Sequence, residues 1–308
     1  MMRIIGFTEN YWRMTVKERF EGCILCGAIG DAWGSAFEGL NEEVTENVFY
    51  PFGKPEEKER LWSITDDTQL TLVTVEVLSN KDNITAEAVS AAFLKLYQER
   101  RIRGIGASTL KSLEELNAGG HWSQVGRRGE YAAGNGAAMR IAPLAFFRDI
   151  SREAIRDICT ITHNNDDAYI GALCIIEAIR LILNKEWTGN ENLVELIIER
   201  IPDSRVRDRL IRINALDSLD EVYKLGTSGY VVDSVPLAIA FANSINDLGF
   251  EKMLERLIAA GGDTDTNCSM AAQIVGTLRG TSCIPDHLFL KLKALDEYEW
   301  IVSTIQKF

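Results

Sequence analysis

Helical periodicity runs along almost the whole chain, and the strict alternation of apolar and polar residues that marks a strand is scarce. Between Thr85 and Gln98, for example, Val89, Phe93 and Leu96 recur at helical spacing. Breaks at glycine, proline and asparagine divide this pattern into about twelve to fifteen helices. Helices without a sheet must bury their apolar faces against one another, so we predict an all-α fold, a compact multi-helix orthogonal bundle.

The chain is long enough for one large core, and no segment marks a domain boundary. Of its 308 residues, 46% are hydrophobic and 25% are charged, and its six prolines are not gathered into a linker. We therefore expect a single domain over residues 1–308, in which residues 1–14 could form an N-terminal extension.

The net charge of -12 argues against nucleic acid or an anionic membrane as a partner, because basic patches supply most of the affinity for such surfaces. No apolar run reaches about 18 residues, and the first residues lack the apolar region of a signal peptide. We therefore expect a cytoplasmic protein. Its six cysteines are too few for a disulfide scaffold in a chain of this length.

Near its C-terminal end the chain gathers oxygen-bearing side chains immediately before an apolar helical run. After Gly261 and Gly262, which free the backbone for a turn, come Asp263, Asp265 and Thr266. Aspartate and threonine are also preferred at helix N-termini, where they favour the positive end of the helix dipole. Taken alone, the cluster leaves two interpretations open, a helix cap and a cation site.

A calcium loop of the EF-hand type is the next candidate, because Asp263, Asp265 and Asn267 have the spacing of its first three ligands. The similarity ends there. Cys268 stands where the loop needs glycine, and Ile274 stands where it needs glutamate. An EF-hand is therefore not predicted.

A second group of the same kind, Thr65, Asp66 and Asp67, precedes another apolar helical run. Neither group contains a cysteine or a histidine, so every side chain in them that could bind a cation does so through oxygen. Such a set suits magnesium or manganese and disfavours zinc. Two clusters together favour a metal centre over two independent helix caps.

Two glycine-rich segments predict close approach of the backbone to a ligand. Gly104 and Gly106 precede a helix whose first amides could face a phosphate, although no strand precedes them as in a dinucleotide fingerprint. Asn135 and Gly136 have the composition of a hairpin turn, but helical sequence flanks them. A ligand-facing loop that leads into a helix through Phe147 is the better interpretation.

Two polar side chains have both a structural and a functional interpretation. His163 precedes a long apolar helix from about Ala168 to Leu183, which it could cap, or it could contact a ligand. Glu38 follows a helix that we expect to break at Gly30-Asp31. It could serve as an acid or base in catalysis, or it could be a solvated loop residue.

Taken in order along the chain, these motifs resemble those of the ADP-ribosylglycohydrolase family. The matching segments are residues 22–31, 65–68, 134–140, 162–163 and 261–266. The resemblance implies an all-α fold with two magnesium or manganese ions in a central cleft. It also implies hydrolysis of the glycosidic bond that joins ADP-ribose to a modified side chain or small molecule, with ADP-ribose as the product.

The resemblance also implies roles by position. The implied metal ligands are Thr65, Asp66, Asp67, Asp263, Asp265 and Thr266. The implied substrate-binding residues are Gly104, Gly106, Asn135, Gly136 and His163. Glu38 matches an acidic residue that contributes to catalysis in some members of the family.

The chemistry of a metal pair agrees with that activity. Two hard cations can hold the adjacent hydroxyls of a ribose. Cleavage at C1 develops positive charge on the sugar, which a nearby carboxylate would stabilise. Two alternatives stay open, a catalytically silent ADP-ribose-binding protein of the same fold and a two-metal phosphatase or nuclease. The latter would need basic residues beside the clusters, and neither motif contains one.

Overall fold

The structure is a computed structural model that describes residues 14–39, 60–79, 84–147 and 150–308. Within those ranges every regular element is helical, which confirms the all-α prediction. The α-helices are α1 (Val16–Ser35), α2 (Asp66–Ser79), α3 (Ala86–Gln98), α4 (Ala107–Asn117), α5 (Trp122–Val125), α6 (Arg152–Thr160), α7 (Asp166–Leu183), α8 (Leu193–Ile198), α9 (Arg205–Asn214), α10 (Leu219–Val222), α11 (Val231–Asn243), α12 (Ile245–Leu248), α13 (Phe250–Ala260), α14 (Thr264–Arg279), α15 (Asp286–Lys293) and α16 (Tyr298–Gln306). Short 3-10 helices span Glu130–Ala132, Asn135–Ala137, Ala142–Phe146, Tyr223–Leu225 and Gly280–Cys283.

These described ranges hold more helices than the periodicity predicted. Helices α5, α10 and α12 have four residues each, about one turn. A single turn contains too few residues for an apolar period to show in the sequence. The excess therefore comes from short connecting helices.

The centre of the fold is the packing of α1 against α14. Both helices are buried along most of their length, and the buried Arg19 side chain donates from Nη1 to the Thr277 carbonyl oxygen at 3.0 Å. Three glycines of α1 let the two backbones approach closely. A Cβ atom added to Gly22, Gly30 or Gly34 would lie 2.3 to 2.4 Å from a carbonyl oxygen of α14.

The predicted break at Gly30-Asp31 is therefore wrong. Helix α1 starts at the capping box of Thr15 and Glu18 and continues through Gly30 to Ser35. Glycine inside a helix costs about 1 kcal/mol relative to alanine. Here the close packing against α14 offsets that cost, because any larger side chain would push the helices apart.

Two further helix predictions need correction. The segment after Asn135 is not an α-helix through Phe147 but two 3-10 helices, Asn135–Ala137 and Ala142–Phe146, separated by a turn. Pro143, which cannot donate a backbone hydrogen bond, opens the second of these. Residues 226–236 contain two glycines and a proline, which predicts a break and a helix that starts at Leu237, but helix α11 begins at Val231 and contains Pro236. Burial of most of α11 outweighs the cost of that proline.

The same packing brings distant chain segments together at one place. The C-terminal end of α1 and the N-terminal ends of α2 and α14 meet, so that Gly34 of α1 accepts a hydrogen bond from the Thr264 hydroxyl at 2.8 Å. No helix in the described ranges is long and apolar enough to cross a membrane. The expected extension at residues 1–14 lies outside these ranges apart from residue 14, and the single-domain assignment stays a prediction.

Candidate metal centre and ligand cleft

A cleft of about 530 Å³ opens where these helix ends meet. Its size suits a small organic ligand. All of the predicted site residues except Thr65 line it, namely Glu38, Asp66, Asp67, Gly104, Gly106, Asn135, Gly136, His163, Asp263, Asp265 and Thr266. The structure thus brings together residues that are more than 200 positions apart in the sequence.

Thr65 lies behind the cleft wall and belongs to a hydrogen-bond network around Asp31. The fully buried Asp31 carboxylate accepts hydrogen bonds from the Thr65 hydroxyl at 2.8 Å and the Thr68 hydroxyl at 2.5 Å. It also accepts from the backbone amides of both threonines, at 3.0 and 3.1 Å. Asp31 therefore fixes the first turn of α2 against α1.

The two acidic clusters are in direct contact. The Thr266 hydroxyl donates to Asp67 Oδ2 at 3.1 Å, and the Thr65 hydroxyl lies 3.3 Å from the same oxygen. Carboxylate oxygens of Asp31, Asp67 and Asp265 all lie within 4.8 Å of one another. Asp67 and Asp265 are thereby placed to share a cation, whereas Asp66 lies outside this group.

The described protein groups do not offset the crowding of these acids, and three of the acids have pKa values well above the ordinary value of 3.8. Burial, and then the negative charge of Asp31, raises the pKa of Asp66 to about 8. Burial, and then a hydrogen bond to Asp263, raises the pKa of Asp265 to about 10. Burial, and then the charge of Asp265, raises the pKa of Asp67 well above its usual range. Each shift arises because acids are crowded in a place with little water.

The residues present fit hard divalent cations. Asp67 Oδ1 is buried and has no hydrogen-bond partner in the described structure, an unusual state for a carboxylate oxygen. The ligands available around it are carboxylate and hydroxyl oxygens, which magnesium and manganese prefer. A cation there would satisfy that oxygen and reduce the repulsion among the acids.

Asp263 occupies the N-cap position of α14, but its side chain makes no capping hydrogen bond. Asp263 Oδ2 instead accepts from Asn135 Nδ2 at 2.6 Å. Helix capping therefore does not explain Asp263. The same contact shows that the Asn135 side chain orients a carboxylate, in addition to lining the cleft.

Glu38 lies on the turn that follows α1 and is exposed at the cleft. Its carboxylate forms a second group with Asp263 and Asp265, in which oxygens of all three lie within 4.8 Å of one another. Partial burial of the carboxyl, and then the charge of Asp263, raises the pKa of Glu38. Glu38 therefore lies within reach of Asp263 and Asp265 at the cleft.

The glycine segments shape the other wall of the cleft. Gly106 is the N-cap of α4 and has no side chain to bond the first amides of that helix, and Ala107, Ser108 and Thr109 line the cleft. Free amides at a helix N-terminus favour an anion such as a phosphate. Gly104 has a φ of 68°, a conformation that glycine adopts without strain.

The structure adds residues that the sequence did not single out as site residues. Asp31 is one of them, and its signal was an acid within an otherwise apolar and small-residue stretch of α1. Ser228 and Gly229 also line the cleft, and the Gly229 carbonyl oxygen accepts a hydrogen bond from the backbone N–H of Asn135 at 3.0 Å. Their segment was visible in the sequence as a break between helices, without a feature that tied it to the site.

Comparison with known proteins shows the family. The profile of the ADP-ribosylglycohydrolase family matches residues 13–308. The chain is 29% identical to ADP-ribosylhydrolase ARH3 of Xenopus tropicalis over 314 residues, which cover 87% of this chain and 89% of that protein. It is 28% identical to ADP-ribosylarginine hydrolase Tri1 of Pseudomonas putida (strain GB-1), with 87% and 72% covered.

A solved structure described as an ADP-ribosylglycohydrolase-related protein complex has the same fold. The TM-score is 0.63 at 24% identity, with 95% of this chain and 97% of that chain covered. The family match, together with the all-helical fold and the acidic cleft, identifies the class of protein, an ADP-ribosylglycohydrolase. The chain belongs to the ADP-ribosylglycohydrolase family, and the resemblance found in its motifs is confirmed.

Proposed function

We propose that the protein uses two divalent cations, Mg²⁺ or Mn²⁺, to hydrolyse the glycosidic bond between ADP-ribose and a modified protein side chain or small molecule. The observation that carries this proposal is the convergence of the two acidic clusters on one wall of the cleft. The Thr266 hydroxyl and Asp67 Oδ2, 199 residues apart in sequence, are joined at 3.1 Å. Their meeting point contains an unpartnered buried carboxylate oxygen, Asp67 Oδ1.

In this proposal Thr65, Asp66, Asp67, Asp263, Asp265 and Thr266 are the metal ligands, and Asp31 holds the first of these clusters in place. The cations, when bound, would supply positive charge that fixes the adjacent ribose hydroxyls and offsets the carboxylates. Asn135 Nδ2 keeps Asp263 oriented through the 2.6 Å hydrogen bond.

Glu38 is the acid that we place in the chemical step. It is exposed at the cleft beside Asp263 and Asp265, whereas Asp67 and Asp265 are buried. One of its Oε atoms can accept the proton of the attacking water, and its negative charge can stabilise the oxocarbenium character of the sugar. The raised pKa of Glu38 brings its proton affinity closer to that required of a general base at neutral pH.

The remainder of ADP-ribose would lie along the glycine wall, which is the side of the cleft that contains Gly104, Gly106 and Gly136. Helix α4 starts after Gly106, which has no side chain to bond the first amides, so its N-terminus offers free amides to the diphosphate. Gly104, Gly136 and His163 line the same wall. The described lining contains no lysine or arginine. That absence argues against a phosphatase or nuclease, in which basic side chains would stabilise the transferred phosphate.

Release of ADP-ribose from defined substrates tests the proposal. Peptides ADP-ribosylated on arginine or on serine, and a small ADP-ribosylated molecule, would be incubated with the protein and Mg²⁺, with EDTA as the control. We expect release from at least one substrate, and none with EDTA. Tight binding of free ADP-ribose without release from any substrate would instead identify a silent binding protein. Release that persists in EDTA would refute the role of the cations. The cytoplasmic location stays a prediction that fractionation of cells can test.

A further inference from the structure

A chain of hydrogen bonds leads from the buried Arg140 guanidinium to the His163 ring at the cleft. Arg140 Nη2 lies 2.7 Å from Thr162 Oγ1, and the same oxygen lies 2.8 Å from His163 Nδ1. Arg140 and Thr162 are buried, and His163 is 4% exposed. Neither Arg140 nor Thr162 has a place in the proposed hydrolysis, so this chain needs a separate explanation.

The direction of the first hydrogen bond is set by chemistry. A guanidinium group has N–H donors and no acceptor, so Arg140 must donate and Thr162 Oγ1 must accept. The guanidinium is itself held by the Gly136 carbonyl oxygen, to which Nη1 donates, and by the face of the Phe93 ring 5.0 Å away. Arg140 therefore presents its Nη2 hydrogen to Thr162 in a fixed direction.

The second hydrogen bond follows from the first. The Thr162 hydroxyl has one hydrogen, and its residue has no exposed surface, so this hydrogen needs a protein acceptor. Within the described structure the acceptor in reach is His163 Nδ1, at 2.8 Å. If Nδ1 instead carried a proton, two hydrogens would face each other or the hydroxyl hydrogen would be left without a partner.

An imidazole whose Nδ1 accepts a hydrogen bond carries its proton on Nε2. The ring stays neutral, because burial and the charge of Arg140 lower the pKa of His163 to about 3. Nε2 lies over the glycine wall: a Cβ atom added to Gly134 would meet it at 2.9 Å, and His163 lines the cleft. A hydrogen on Nε2 is therefore available to a bound ligand.

We propose that Arg140 and Thr162 are positioning residues that hold His163 as the neutral Nε2–H tautomer, which serves as a permanent hydrogen-bond donor to an oxygen of the ligand. The identity of that oxygen as part of an ADP-ribosyl group rests on the proposed function, whereas the tautomer itself does not. The arrangement fixes the polarity of the contact. The histidine donates to a ligand acceptor and does not accept from a ligand hydroxyl.

Nitrogen NMR of protein labelled with ¹⁵N-histidine tests the tautomer directly. The chain has three histidines, and the His121→Gln and His287→Gln variants assign the two exposed ones. At neutral pH we expect His163 Nδ1 to resonate as an unprotonated nitrogen and Nε2 as a protonated one. A protonated Nδ1 in the wild-type protein would overturn the proposal, whatever the enzymatic activity.

Variants of Thr162 test the positioning role. Thr162→Val keeps the shape and removes the hydroxyl, so His163 should populate both tautomers, and free ADP-ribose should bind about five- to tenfold more weakly. Thr162→Ser restores the hydroxyl and should restore both the single tautomer and the affinity. In steady-state kinetics, Thr162→Val should raise KM more than it lowers kcat.

Two results of these variants would contradict the proposal. One is a single Nε2–H tautomer in Thr162→Val, since the ring would then need no hydroxyl to fix it. The other is failure of Thr162→Ser to restore the wild-type resonances. If Thr162→Val did not fold, the wild-type spectrum and Thr162→Ser would still decide. Loss of hydrolysis on every substrate, with the tautomer as expected, would refute the proposed function alone.

Discussion

Replacement of Gly30 by alanine tests the close packing of α1 on α14, on which the whole site depends. The added Cβ atom would lie 2.4 Å from the Cys268 carbonyl oxygen, whereas an ordinary contact starts at 3.4 Å. The difference, 3.4 - 2.4, is 1.0 Å. Because the opposing atom belongs to the backbone of a buried helix, it cannot rotate away, and the helices must separate by about that distance.

The expected cost is large enough to measure. Overpacking of a core by one methyl group costs about 1–3 kcal/mol, and the better helix propensity of alanine returns about 1 kcal/mol. Since the opposing atom belongs to rigid backbone, we expect a cost near the upper end of that range and a net loss of about 1–2 kcal/mol. At about 2–4 °C per kcal/mol, Gly30→Ala should lower the melting temperature by about 2–8 °C. The separation should also move Asp31, its chain neighbour, away from Asp265 near the start of α14. The concentration of Mg²⁺ needed for half-maximal activity should therefore rise.

The matched control is Gly27→Ala, on the same helix and facing the same partner. There the added Cβ atom would meet Gln273 Cγ at 2.6 Å. The Gln273 side chain can change rotamer at the cost of its hydrogen bonds to the Met139 carbonyl and Ser269 hydroxyl oxygens, whereas a helix carbonyl cannot rotate away. Both variants would be examined by thermal melting in Mg²⁺ and by titration of activity with Mg²⁺. We expect Gly27→Ala to lose less stability than Gly30→Ala. A melting temperature for Gly30→Ala at or above that of the wild type, with unchanged Mg²⁺ dependence, would refute the reasoning.

Three further predictions concern the acids of the cleft. Asp265→Ala and Asp66→Ala should each abolish hydrolysis and the stabilisation of the protein by Mg²⁺. In EDTA, however, Asp265→Ala should melt at a higher temperature than the wild type, because it removes one of several crowded buried acids. Equal stabilisation of the wild type and the variants by Mg²⁺ would contradict this prediction. In EDTA the wild type should lose stability as the pH rises from about 5 to 9. The pKa of Asp66, about 8, and that of Asp265, about 10, exceed the ordinary value of 3.8. Over this pH range the folded state therefore holds more protons than the unfolded state, and raising the pH favours unfolding. Mg²⁺ competes with those protons, so its effect on the melting temperature should grow with pH, and a Mg²⁺ effect that shrinks with pH would refute the carboxylate site. Glu38→Gln should lower kcat by about 10²–10⁴-fold and leave the melting temperature unchanged. Glu114→Gln, an exposed control on α4, should change neither kcat nor the melting temperature. Near-normal turnover by Glu38→Gln would remove Glu38 from the chemical step.

Features that depend on local sequence were predictable. The start of α2 after Thr65 and that of α14 after Asp263 follow from polar residues ahead of apolar runs, and both were anticipated. The meeting of these two starts could not be derived from local pattern, because it depends on contacts between segments about 200 residues apart. The ordered family motifs indicated it instead.

The errors have a common physical cause. Local propensity disfavours glycine in a helix, so Gly30 predicts a break. What requires glycine there is the Cys268 carbonyl oxygen on α14, which a Cβ atom would approach to 2.4 Å. Asp31 has no local signature of a site residue for the same reason, since the hydrogen bonds of its carboxylate come from Thr65 and Thr68. Tertiary packing decided both positions, and a single sequence does not show it.

The pairing of α1 with α14 also affects how the chain is synthesised. Gly30 and Cys268 are 268 - 30, or 238, residues apart, so at about 5–20 residues per second the ribosome completes α1 roughly 10 to 50 s before its partner. Throughout that interval the glycine face of α1, with Phe20, Ile24 and other apolar side chains around it, lacks the helix that covers it. We expect nascent chains stalled before Thr264 to be cut by protease within α1 and to bind chaperones that hold apolar segments, and full-length chains to do neither.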